Sequence, residues 1–133
     1  MSLLTTFNNH FIEFVDDVQS IFPNDMEIKK AKQALELLKK ANPKMIVSIW
    51  KRYILNKYKE EIENGNIEFF LNKDYSRDLN VEDSNKILES IERLRGPIKQ
   101  MGHDNLQKTI KYIQNLTKIC DMYYKTLIND IKQ

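Results

Sequence analysis

Apolar residues return along this chain every three or four positions, the period of amphipathic helices rather than of strands. Phe7, Phe11, Phe14, Val18 and Ile21 follow that spacing, with Val15 and Phe22 beside them. They predict a helix over about residues 3 to 22. Pro23 stops it, because its ring carries no donor and disfavours helix at the preceding residue. Asn24 or Asp25 then caps a second helix to about Ala41. Met26, Ile28, Ala31, Ala34, Leu35, Leu38 and Ala41 are expected to turn inward, and Lys29, Lys32, Gln33, Glu36, Lys39 and Lys40 to form a solvated outer face.

The next stretch is the one around which the rest is arranged. Asn42-Pro43 supplies a side-chain acceptor at the N-cap and Pro at the first helical position, so a third helix is expected from there to Asn64-Gly65. On a wheel of 100° per residue, Met45, Ile46, Ile49, Trp50, Tyr53, Ile54 and Tyr58 cover more than half the circumference. A helix with so wide an apolar arc is covered on several sides, which places it in the middle of the fold. The narrow remaining arc holds Lys44, Ser48, Lys51, Arg52 and Lys59. Gly65 is expected to end it in a left-handed conformation.

Downstream, Ile67, Phe69, Phe70 and Leu71 read as one apolar turn, and residues 72–81 as a loop without period. Asn80 opens a further helix, with Glu82 and Asp83 in its first turn at the positive end of the dipole. Its apolar residues Ile87, Ile91, Leu94, Ile98 and Met101 run through Gly96-Pro97, where a kink or a short break is expected rather than a new element. After the turn at Gly102-His103-Asp104-Asn105, a long last helix carries Leu106, Ile110, Ile113, Leu116, Cys120, Tyr124, Leu127 and Ile131 on one side. Two such helices joined by a tight turn predict an antiparallel hairpin over 82–133. The expected architecture is all-α: a compact single-domain bundle of about five main helices, with residues 1–71 forming the N-terminal part and the Trp-bearing helix at its centre.

Composition narrows the function classes. The 133 residues carry 21 basic and 19 acidic side chains, a balance too even to demand a nucleic-acid or membrane partner, though it permits a local patch. No run is apolar enough for a transmembrane helix, and the N-terminus lacks the basic start of a signal peptide, so an intracellular protein is expected, neither secreted nor membrane-spanning. Cys120 is the single cysteine, which excludes an intrachain disulfide and favours a reducing compartment.

The residues of catalysis and cofactor binding are sparse. The two histidines are His10, beside Asn8-Asn9, and His103, in a turn. Neither is placed by sequence next to a nucleophile, and Cys120 falls on a core-facing position. A zinc site needs several Cys or His ligands, and the acidic run Asp74, Asp78, Glu82 and Asp83 lacks the spacing and glycine of a calcium loop. Gly65, Gly96 and Gly102 form no phosphate-cradling motif. No enzyme, cofactor, metal or small-molecule substrate is expected. Two readings remain. One is association with a protein or with a second copy through the apolar seam of the hairpin, which Tyr112, Ile119 and Met122 widen. The other is nucleic-acid binding through Lys44, Lys51, Arg52 and Lys59.

The strings Ala41-Asn42-Pro43-Lys44, Trp50, Tyr53, Tyr58-Lys59, Gly65, Phe69-Phe70-Leu71 and Lys73-Asp74-Tyr75 carry a likeness. With Glu89-Ser90-Ile91-Glu92-Arg93-Leu94-Arg95 and Tyr112-Ile113-Gln114-Asn115-Leu116-Thr117, the sequence resembles a group of small proteins of nucleocytoplasmic large DNA viruses. The resemblance implies no activity and no site residues. It implies a setting in host cytoplasm, nucleus or virion, and roles such as virion component, genome packaging or host-factor binding.

Overall fold

The computed structural model describes residues 2–66 and 96–132, and all of its regular structure there is helical. The apolar cluster at 67–71, the loop at 72–81 and the part before residue 96 of the helix expected to run through Met101, the first arm of the expected hairpin, lie outside the described residues.

Helix α1 spans Leu3–Ile21, opened by Ser2, whose side chain accepts from the Thr5 amide. Phe7, Phe11, Phe14, Val15 and Val18 are its buried face. Helix α2 spans Met26–Ala41, and Asp25 caps it by accepting from the Glu27 and Ile28 amides. Its inward face is narrower than the period implied: Ile28, Ala31 and Leu35 are buried, while Met26 and Ala41 are exposed. These two sit in the first and last turns of α2, beyond the part that its neighbours cover.

The central helix begins two residues later than expected. Asn42 closes α2, its amide bonded to Leu38, and its side chain accepts from the Lys44 amide at 3.2 Å. Helix α3 then starts at Met45 and runs to Trp50. Residues Lys51–Leu55 form a π-helical turn, and α4 continues over Asn56–Glu63 with a kink at Tyr58 (φ −131°, ψ 19°). The Asn56 amide bonds to the Lys51 carbonyl, the i→i+5 pattern of a π turn. The wider turn brings Tyr53, Ile54 and Leu55, three consecutive residues, into the core together. At the far end Gly65 has φ +78°, and its amide and that of Asn66 bond back to Ile62 and Glu61. This is a Schellman closure, which needs a residue without a Cβ.

Residues 96–99 make a short helical turn that places Ile98 in the core. Helix α5 spans His103–Lys132 and packs on α1, on the π turn and on α4. His103 is therefore the exposed first residue of a helix rather than part of a turn.

Trp50 sits where these elements meet. It is 3% exposed, with its ring edge-on to Phe7 and Phe11 at 6.1 and 5.9 Å between centroids. Its Nε1 donates to the Thr117 Oγ1 at 3.0 Å, and that hydroxyl donates to the Ile113 carbonyl at 2.8 Å. A buried indole N–H without such an acceptor would lose its water partner uncompensated.

Candidate partner-binding face

Lys51, half-buried, and Lys59, exposed, both reach towards α5. The Lys51 ammonium stands 5.0 Å from the Tyr124 ring centre and 3.4 Å from the Asn56 side-chain oxygen. Lys59 lies 3.6 Å from Asp121, which also holds Lys125 at 3.1 Å. Arg52 is exposed and its guanidinium is 5.4 Å from the Tyr53 ring centre, with Lys57 at 5.6 Å. Lys44 is exposed at the amino end, roughly 10 Å along the axis from Lys51 at 1.5 Å per residue. The predicted arc is thus joined in part to the last helix and is not a uniform row of solvated cations.

The helix period did not reveal which face α5 presents to α4, so Lys118, Asp121 and Lys125 were absent from the candidates. Their spacing of three and four does place them on one side of α5. Burial raises the pKa of Asp121, but its hydrogen bond to Lys125 and the charges of Lys59 and Lys125 outweigh that and hold the carboxyl below its usual range. It therefore stays ionised at neutral pH and holds both ammonium groups in place.

Beyond this trio α5 is longer than the other described helices. A helix of thirty residues is about 45 Å long, against about 28 Å for α1 and for the path from Met45 to Glu63. Every residue from Lys125 to Asn129 is exposed, including Leu127 at 38% and Ile128 at 49%. Leu127 continues the stripe that buries Ile113, Leu116 and Cys120 further back, and Ile128 lies at its edge, on the side of Thr117. Met122, 46% exposed, lies on the opposite side of α5 from that stripe.

The reactive residue types lie elsewhere. Cys120 is fully buried, its Sγ 3.6 Å from the Val47 carbonyl, and burial pushes the thiol up to about 12. A thiol in that state is not a nucleophile at neutral pH. His10 lies against Tyr112, 5.0 Å between ring centres, with Nδ1 3.5 Å from Glu13. Tyr112 donates to the other oxygen of Glu13 at 3.5 Å, and its pKa is raised by burial and by Asp17 and Glu13. The groove outside this group is lined by Asp17, Lys108, Lys111 and Asn115 as well, but His10 Nε2 is shut off from it and has no partner. Among the described residues no group of three His, Cys, Asp or Glu side chains could hold a metal ion, and no helix is long and apolar enough to cross a membrane.

No family model matches this chain, and neither does a curated protein or a solved structure.

Proposed function

We propose that this protein works without catalysis, by binding a protein partner through the far end of α5. The observation that supports this is the core stripe of α5 running past the other described helices, so that Leu127 is exposed at a position whose counterparts at Ile113, Leu116 and Cys120 are buried, with the exposed Ile128 beside it. Apolar side chains at core spacing, on helix that no other described element covers, are a surface for another chain. In this reading the protein acts inside a cell. If its likeness to giant-virus proteins reflects descent, the partner is a virion component or a host factor.

Nucleic acid is the second reading. It is favoured by the meeting of Lys59 with Lys118 and Lys125 in the groove between α4 and α5, which enlarges the cationic surface. It is the weaker one, because Asp121 already pairs with two of those lysines and the exposed residues beside them are aliphatic.

A photo-reactive amino acid at position 128 separates the readings in the cells that express the protein. A discrete protein adduct from position 128, absent when the same group replaces the exposed Leu37 of α2, is the expected result. An adduct at twice the chain's mass would mean a second copy. A nuclease-sensitive adduct, or none, would contradict the protein reading.

A further inference from the structure

Asparagine is followed by glycine once in this chain, at Asn64-Gly65. The pair carries a chemistry of its own. The Gly65 amide nitrogen, once it has lost its proton, can attack Cγ of Asn64, and a glycine leaves that approach open because it has no Cβ. A bond forms between that nitrogen and Cγ, the bond from Cγ to Nδ2 breaks, and ammonia departs with the proton. Water then opens the cyclic imide on either side, leaving aspartate or isoaspartate. Nothing is oxidised or reduced, and water is the co-reactant.

Asn64 is exposed beside an open groove of about 460 Å³ between the end of α4 and α5, so water reaches it. What the fold withholds is the attacking atom. Asn64 has ψ 0°, so the Gly65 nitrogen eclipses the Asn64 nitrogen and does not lie on the Cβ side, where the five-membered ring needs it. The Gly65 amide donates to the Ile62 carbonyl at 3.0 Å, and Gln114 Nε2 on α5 donates to that same carbonyl at 3.0 Å. Ring closure therefore requires the end of α4 to open first.

We infer that Asn64 is a site of spontaneous, one-way deamidation, held in check by the closure of α4 against Gln114. Aspartate adds a carboxylate at the negative end of the α4 dipole. Isoaspartate lengthens the backbone between residues 64 and 65, which pulls the Gly65 and Asn66 amides off their acceptors on Ile62 and Glu61. Either product loosens the seam between α4 and α5, so each conversion is a permanent record of an opening. The inference is independent of any partner.

Ageing the whole chain at mildly alkaline pH, in buffer and in guanidinium chloride, tests it, with the amide-to-acid mass gain at Asn64 read by peptide mass spectrometry. Conversion is expected to be about tenfold or more faster in denaturant than in buffer. Gln114→Ala removes a donor from the Ile62 carbonyl and is expected to speed the reaction several-fold in buffer while leaving it unchanged in denaturant. Thr117→Val loosens the core without touching that carbonyl and is expected to keep the parent's rate in buffer. Gln114→Glu, which keeps the length of the side chain but not its donor, repeats the test should the alanine variant lose its helical circular dichroism. Equal rates in buffer and denaturant overturn the role of the closure. Equal acceleration by Gln114→Ala and Thr117→Val, or none from either Gln114 variant, overturns that of Gln114. No mass gain at Asn64 in either solvent overturns the site.

Discussion

Trp50 brings a polar N–H into the middle of an apolar core, and Thr117 is what makes that tolerable. Trp50→Ala should cost about 3–5 kcal/mol in chemical denaturation, since it opens a cavity between Phe7, Phe11 and α5. Thr117→Val keeps the shape and removes the acceptor, so about 1–3 kcal/mol is expected. A near-neutral Thr117→Val would mean that the indole N–H finds another partner. The width of the apolar arc made Trp50 legible as a core residue. Thr117 was not legible, because a threonine sixty-seven positions away on another helix carries no local sign of what it accepts. Cys120 makes a second residue-scale prediction. Its folded form keeps the proton to about 12 and the unfolded chain releases it nearer 9.0, so its contribution is whole below that lower value and is lost as pH climbs between the two. The raised Tyr112 and Tyr124 act in the same direction. Ellman's reagent should leave the native thiol untouched and titrate it fully in denaturant. Rapid labelling of the native protein would contradict its burial.

At the scale of elements, the central helix departs most from its sequence pattern. Periodicity assumes a constant turn, and Leu55 falls among the cations on a uniform wheel, outside the apolar arc, yet it is buried. The π turn accounts for Leu55. It holds one residue more than an α turn would, which changes the phase of everything after Trp50. Deleting the exposed Arg52 should therefore let the turn relax to α geometry while α3 and α4 keep their buried residues. The variant is expected to remain folded, with far-UV circular dichroism unchanged. Deleting Ser48 instead would rotate Ile46 and Val47 out of register with Ile49 and Trp50, and a large loss of helicity is expected. Equal damage from both deletions would mean that the π turn stores no spare residue. The ends of the elements were read with mixed success. Asp25, Pro23 and Gly65 mark their boundaries through local backbone chemistry, which sequence records directly. Asn42 was assigned to the wrong helix because its side chain serves the turn between α2 and α3.

For the whole molecule, the all-α architecture follows from spacing alone, whereas the candidate face depends on which helices meet. Lys51 and Lys59 could be named from their own helix. Their neighbours Lys118, Asp121 and Lys125 could not, because the rotation of α5 against α4 is set by packing around Trp50 and Ile62 and not by any local string. The reach of α5 past the other described helices is hidden for the same reason: the apolar period continues through Leu127 without marking where they stop. The account requires that end of α5 to be free of the protein's own core. The melting temperature of the Leu127→Glu, Ile128→Glu double variant measures this directly. Because both side chains are exposed and glutamate favours helix, the account predicts a melting temperature equal to that of the parent. A fall of about ten degrees or more, the size expected when charges are placed in a core, would show that these residues are covered within the molecule and would contradict the account.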